Sequence, residues 1–290
     1  MKNMVDERFE CIALIFRLSG DKPEYAELET DFQREVAETF AEFAEHPAVK
    51  LAKTFDGSNG VWVGYDAVVK FAVHIEKKDN HFFFIDDINS MFDSGRWNET
   101  AAQEFLPLFN HFYTDTNYAE FFNSHTELFE QYTQKFIDEV YEKIDFEWFR
   151  KYVDPSNLRC IYSPSVTIHN YGSTVNDKII YCVVTETSSS LSVVHEYCHS
   201  FGNPLAYKWY QENETFKKWC DDSINYEKMP YYAYGLNMAY EYVTRAYETM
   251  YMVAHGMNLE EKLARLRDSE QEPFPYIENV YEMVYNYPTR

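Results

Sequence analysis

The sequence predicts a predominantly helical α+β fold in which a small β-sheet packs against one helix. Through most of residues 1–150, apolar residues recur every three or four positions, which is typical of amphipathic helices. Residues 158–186 instead contain short runs rich in β-branched and aromatic residues, separated by turn residues. Beyond them the helical periodicity returns. This change of sequence pattern divides the chain into a mostly helical region, 1–150, and a second region, 151–290. The two regions are either two domains or parts of one continuous domain.

Composition places the chain among globular proteins. Of its 290 residues, 46% are hydrophobic and 18% aromatic, which is enough for a sizeable core. The formal net charge of −22 argues against nucleic acid as a partner and against binding to anionic membranes. The same field disfavours acidic ligands, unless a local patch of positive charge reverses it.

Cysteine usage and the N-terminal sequence predict a cytoplasmic protein. The five cysteines are odd in number and include no CxxC pair, as expected of free thiols in a reducing compartment. Acidic residues interrupt the N-terminal segment before any apolar run, so no signal peptide is expected, and no run reaches the roughly 20 apolar residues of a membrane span. A secreted or periplasmic protein whose leader had been removed would show the same pattern.

The predicted elements follow from periodicity and turn residues. In the first region, helices are predicted over 32–46, 64–75, 99–113 and 117–150, with their aromatic stripes in the core. In the second, LRCIYS, SVTIHNYG and DKIIYCVVTE are predicted as three strands of an antiparallel or mixed sheet. A helix then begins near TSSS and is expected to end at Gly202-Asn203-Pro204. Further helices are predicted over 235–255, 258–268 and 275–286.

The segment VVHEYCHSFGNP lies inside one of these helices and contains the spacing HExxH. Residues four apart lie on the same face of a helix, so His195 and His199 can bind one metal ion. Glu196 is rotated by about 100° from His195, which places it beside the ion, where it can act as a general base. Cys198 belongs to the apolar stripe and is expected in the core. The alternative is a chance match in a purely structural helix.

A catalytic zinc ion needs a third protein ligand. The extended spacing HExxHxxGxxH is not met, because Leu205 stands where a third histidine would lie. A later helix carries Glu241, Arg245 and Glu248 at i, i+4 and i+7, which is one face. Such a face is either a solvated salt-bridge ladder or part of a site. With a metal-binding helix upstream, Glu241 is the favoured ligand and Glu248 the reserve, and Arg245 would orient Glu241 or bind a substrate carboxylate.

HExxH followed by a distant Glu on a second helix resembles the gluzincin branch of the zincin metallopeptidases. The wider pattern is similar to a bacterial family of zincin-like proteins of uncharacterised function, through VDERFECIALIFRLSG, HNYG, VVHEYCHSFGNP and EYVTRA. The resemblance implies a zincin-like fold, zinc held by His195, His199 and Glu241, and Glu196 as general base. It also implies an oxyanion-stabilising Tyr or His, for which Tyr171, Tyr232, Tyr234 and His169 are all candidates.

The expected function is that of a zinc-dependent metallopeptidase acting on a peptide or protein substrate. In this reading Glu196 serves as base and proton shuttle during hydrolysis of the peptide bond. The main alternative is a zincin-like module that binds zinc or peptide without cleaving.

Overall fold

The computed structural model describes residues 4–20, 23–26, 29–57, 66–92, 95–166, 170–175, 178–230 and 232–288. In these ranges the chain is predominantly helical with two small sheets, which confirms the predicted α+β class. The helices are α1 Glu7–Ser19, α2 Pro23–Ala26, α3 Asp31–Thr39, α4 Pro47–Lys53, α5 Ala67–Val73, α6 Glu99–Asp115, α7 Tyr118–Ser124, α8 Thr126–Glu139, α9 Ser190–Glu212, α10 Glu214–Asp222, α11 Gly235–Ala254, α12 Leu259–Arg267 and α13 Ile277–Tyr285. The strands are β1 Ile75–Lys78, β2 His81–Phe84, β3 Leu158–Tyr162, β4 Tyr171–Val175 and β5 Ile179–Val184. No helix in the described ranges is long and apolar enough to cross a membrane.

Two compact units divide the chain. The first combines Met1–Lys143 with Asn157–Ser190, and the second combines Ile144–Ser156 with Leu191–Arg290. Helices α1–α8 and all five strands belong to the first unit, while α10–α13 and α9 from its second residue onward belong to the second. The division runs near the boundary expected at residue 150 but assigns the three-stranded sheet to the first unit. The packing of that sheet against the HExxH helix stays a prediction.

The core of the first unit surrounds α1 and a cluster of aromatic rings. The Asp6 side chain accepts a hydrogen bond from the Arg8 backbone N–H at the start of α1, and Gly20 ends the helix with a φ of 74°. The residues between are almost all buried. The rings of four fully buried side chains pack against one another in edge-on, tilted and stacked pairs: Phe71, Trp97, Phe105 and Phe109. The predicted aromatic stripes therefore do lie in the core.

The three-stranded sheet is mixed, as predicted. Its order is β3-β5-β4, with β3 parallel and β4 antiparallel to β5. The second strand begins later than expected: β4 starts at Tyr171, and residues 167–169 of the predicted strand lie outside the described residues.

Three predicted helices of the first unit have the wrong extent. The helix predicted over 32–46 ends at Thr39 and is followed by a short 3-10 segment, Ala41–Glu45. The helix predicted over 64–75 ends at Val73, and the chain turns into the hairpin β1-β2, with Asp79 and Asn80 in the left-handed region at φ 50° and 60°. The run 117–150 is not one helix but α7, α8 and two short 3-10 segments. Between α7 and α8, the hydroxyls of Ser124 and Thr126 donate to the carbonyls of residues 121 and 123. Such local hydrogen bonds compete with a continuous helix.

A buried carboxyl group joins α1 to the segment after β3. Glu10 is 1% exposed and accepts hydrogen bonds from the hydroxyls of Ser163 and Ser165, while Arg17 donates to the Ser165 carbonyl at 2.7 Å. Burial raises the pKa of Glu10 to about 7, and the two serine hydrogen bonds only partly offset it. Glu10 is therefore a titrating group of the folded state near neutral pH.

This raised pKa predicts a stability that falls as the pH rises. The folded state holds the Glu10 proton more tightly than the unfolded chain, so the stabilisation is complete below about pH 4.5 and is lost as the pH passes through about 7. The loss is on the order of 3 kcal/mol. Urea unfolding at pH 5, 6, 7 and 8 should show it in wild type and in Glu38→Gln, an exposed acid on α3, but not in Glu10→Gln. A pH dependence unchanged in Glu10→Gln would contradict this assignment.

Candidate metal centre

The candidate site lies entirely in the second unit, on helices α9 and α11. The predicted HExxH helix is present, but its predicted end is wrong, since α9 continues through Gly202-Asn203-Pro204 to Glu212. Pro204 removes one helical hydrogen bond, which costs a few kcal/mol. Buried residues after it, Leu205, Ala206 and Trp209, offset this cost by packing.

Gly202 serves a close approach of the two helices instead of a helix end. A Cβ atom at this position would lie 3.3 Å from Thr244 Oγ1, 3.5 Å from Val243 Cγ1 and 3.6 Å from Tyr247 Cδ2, all on α11. The absence of a side chain thus lets α11 come close to α9 beside the two histidines.

Three side chains converge where these helices meet. His195 Nε2 lies 3.2 Å from His199 Nε2 and 3.6 Å from Glu241 Oε2, and His199 Nε2 lies 3.5 Å from Glu241 Oε1. Their side chains are 11–19% exposed, so the cluster is largely buried but reachable. One donor atom from each lies within 4.8 Å of the others, and the three residues form a possible metal-binding triad.

The outer ring nitrogens of both histidines have partners that set the ring orientation. His195 Nδ1 lies 3.0 Å from Glu248 Oε2. Because an ionised carboxylate only accepts hydrogen bonds, Nδ1 donates this hydrogen bond, and Nε2 is left to bind a metal ion in the corresponding neutral tautomer. His199 Nδ1 lies 2.9 Å from Thr244 Oγ1 and 3.0 Å from Asn203 Oδ1, which fits the same tautomer. The Nε2 atoms of both histidines face Glu241.

Glu248 is held in place as an anion. Lys262, on α12, donates to Glu248 Oε1 at 2.8 Å. Burial acts to raise the pKa of Glu248, but the hydrogen bonds and charges of His195 and Lys262 outweigh it and lower the pKa to about 2. Glu248, the alternative third ligand, thus contacts Nδ1 of His195, while Glu241 faces the Nε2 atoms of both histidines.

Glu241 and Arg245 form a second buried pair. Arg245 Nε lies 3.5 Å from Glu241 Oε2, and Nη2 donates to Glu272 Oε2 at 2.8 Å. Burial acts to raise the pKa of Glu241, but the charges of His199, His195 and Arg245 lower it below its usual range. Glu241 Oε2 and Arg245 Nε are both buried without a hydrogen-bond partner in the described part of the chain. An unsatisfied buried carboxylate oxygen between two imidazoles is what a missing cation would explain.

Glu196 and Cys198 occupy two of the three positions between the two histidines. Glu196 is half-buried, on the side of α9 next to His195. Cys198 is fully buried, and burial raises the pKa of its thiol well above the ordinary value. The prediction that Cys198 lies in the core is confirmed.

The tyrosine candidates are dispersed. Tyr171 is buried in β4 of the first unit, whereas Tyr234 precedes α11 in the second unit and is 71% exposed. Burial raises the pKa of Tyr232, and the charge of Arg245 only partly offsets this. His169 lies outside the described residues. The assignment of an oxyanion-stabilising residue stays a prediction.

Sequence reasoning missed the partners of the outer nitrogens. Thr244 and Asn203 bind His199, and Lys262 binds Glu248. Part of the signal was present, because Asn203 is at i+4 from His199 and Thr244 is at i+3 from Glu241. Lys262 lies on another helix and carried no local signal.

The Gly202 contact predicts an effect on the neighbouring histidine. In Gly202→Ala the new methyl group would press on Thr244 Oγ1 and shift the hydrogen bond to His199. We expect a stability loss of about 1–3 kcal/mol from overpacking and metal binding weaker by up to about tenfold, with zinc as the probe. Urea unfolding and competition with a zinc-binding dye measure both. Lys208→Ala, an exposed site on α9, is the control, and equal zinc affinity in both variants would contradict the role of this contact.

Comparison of the chain with protein-family models, with curated proteins and with solved structures finds no match.

Proposed function

We propose that the protein is a zinc-dependent metallopeptidase of the gluzincin type. The observation that carries the proposal is the convergence of His195 Nε2, His199 Nε2 and Glu241 on one point, with Glu196 beside them on α9. Two histidines and one carboxylate are the protein ligands of a common class of catalytic zinc sites.

The donor separations fit zinc. Zinc bonds to nitrogen and oxygen of about 2.0–2.2 Å at tetrahedral angles place neighbouring ligand atoms roughly 3.3–3.6 Å apart. Here the two Nε2 atoms lie 3.2 Å apart, and each lies 3.5 or 3.6 Å from a different oxygen of Glu241. Nitrogen and carboxylate ligands without a thiolate also suit zinc better than a soft metal. The orphaned Glu241 Oε2 gains its missing partner in such a site.

In the proposed hydrolysis, the metal ion, Glu196 and the residues that position the two histidines have separate roles. When bound, zinc supplies a Lewis acid that acidifies water and polarises a carbonyl group. Glu196 takes the proton from the attacking water and delivers it to the leaving amine nitrogen. His195 and His199 are held rigidly by Glu248 and by Thr244 with Asn203, so that their inner nitrogens need no reorientation.

The test combines metal analysis with a cleavage screen. Protein purified without added metal or nickel affinity steps should contain close to one zinc per chain by mass spectrometry. It should cleave members of a quenched-fluorescence peptide library, lose this activity to a chelator and recover it with zinc.

Two results separate the alternatives. Failure to bind metal even when zinc is offered would mean that HEYCH is a chance match in a structural helix. Stoichiometric zinc without any cleavage would favour the non-hydrolytic binding module.

A further inference from the structure

A largely buried arginine, Arg245, lies next to the candidate zinc ligands and forms an ion pair with Glu272. The Arg245 side chain is 17% exposed, and its guanidinium carbon lies 4.7 Å over the ring of Phe274, which is fully buried. Phe274 fixes the plane of the guanidinium and leaves its edge facing Glu241 on one side and Glu272 on the other.

The acids around this site differ in how firmly they are held. Glu241 and Glu248 have side chains only 11% and 9% exposed. The Glu272 side chain is 44% exposed and lies on the connection between α12 and α13, residues 268–276. An ion pair with one exposed partner contributes little stability, so the Glu272 carboxylate can leave Arg245 at low cost.

Arg245 also has a hydrogen-bond donor that no protein group in the described ranges accepts. Its Nε–H is buried and has no hydrogen-bond partner within the described ranges. The neighbouring Glu241 would be engaged by the metal in the proposed function, which leaves this donor free for another anion. Guanidinium groups bind carboxylates through two parallel hydrogen bonds.

We propose that Arg245 is a carboxylate-recognition site of the substrate and that Glu272 occupies it in the free protein. This inference rests on the proposed function and names its substrate class, peptides that present a carboxylate beside the scissile bond. The carboxylate belongs either to the peptide C-terminus or to an Asp or Glu side chain. Arg245 supplies the positive charge that an otherwise acidic protein needs to accept such a ligand.

The test measures binding separately from turnover. The full-length protein, carrying Glu196→Gln to stop cleavage and loaded with zinc, is titrated by calorimetry with acetyl-Ala-Ala-Ala and with its C-terminal amide. A second pair, the amides of acetyl-Ala-Glu-Ala and acetyl-Ala-Gln-Ala, reports on a side-chain carboxylate. Glu272→Gln is added to remove the competing charge, and Glu270→Gln, an exposed acid on the same connection, is the matched control.

We expect Glu272→Gln to bind one of the carboxylate peptides about tenfold more tightly than its neutral twin, the size of one charge-assisted hydrogen bond. The preferred pair identifies the source of the carboxylate. The preference should disappear when Arg245→Gln is added. Equal binding of acid and neutral peptides in Glu272→Gln, or the same gain in Glu270→Gln, would overturn the inference.

Zinc analysis of the same samples separates this outcome from failure of the proposed function. Zinc-loaded protein without a carboxylate preference refutes the recognition site alone. A carboxylate preference in protein that cannot bind zinc refutes the peptidase and retains Arg245 as an anion site.

Discussion

Glu196→Gln is expected to retain zinc and to lower kcat by about 10²–10⁴-fold, the usual contribution of a general base. The substituted amide has nearly the same shape but cannot accept the proton of the attacking water. Glu196 lies next to His195 on α9, outside the triad of donors, so its loss should leave metal binding intact. Zinc per chain and kcat, both measured on the same preparation, check the two halves of this expectation.

Glu212→Gln provides the control for this experiment, because Glu212 is an exposed acid at the end of the same helix. It should behave as wild type in both measurements. Activity retained by Glu196→Gln would place the base elsewhere, whereas loss of zinc would make Glu196 part of the metal-binding set.

Glu241→Gln and Glu248→Gln should differ sharply in zinc affinity. Glu241 faces both inner nitrogens, so its substitution removes a ligand and should weaken binding by more than about a hundredfold. Glu248 acts through His195, and loss of such an outer partner typically weakens binding by 10–100-fold. Competition titration with a zinc-binding dye covers this range. Glu260→Gln, an exposed change on α12, should leave the affinity unchanged.

The opposite ranking would have a specific meaning. If Glu248→Gln abolished binding and Glu241→Gln only weakened it, His195 would bind the metal through Nδ1, and the ligand set would centre on Glu248. Circular dichroism of each variant shows whether the fold persists, since Glu248→Gln leaves Lys262 without its buried counterion.

The parts of the site that follow from helix geometry could be predicted. Spacing alone places His195 and His199 on one face of α9, and Glu241 and Glu248 on one face of α11. It could not assign the two carboxylates, because that depends on the crossing of the two helices. Gly202 illustrates the difficulty: a glycine near a proline indicates a helix end, yet here it permits close packing.

The parts of the fold that were not predicted depend on local interactions that compete with helix formation. The hairpin at residues 75–84 requires two consecutive left-handed residues at Asp79-Asn80, and it directly follows a segment whose apolar spacing suits a helix. The break after α7 depends on hydroxyl groups that bind the preceding turn. Hydrophobic periodicity predicts neither the hairpin nor the helix break, because each depends on only one or two residues.

The location of all three donor residues on α9 and α11 has a thermodynamic consequence. A metal ion there would join residues 199 and 241 and close a long loop, much as a disulfide does, but reversibly. Since the unfolded chain lacks the assembled site, the bound ion would add about 2.7 kcal/mol at a free concentration one hundred times its dissociation constant. Zinc supply in the cell would then set not only the activity of the second unit but also how long it survives proteolysis.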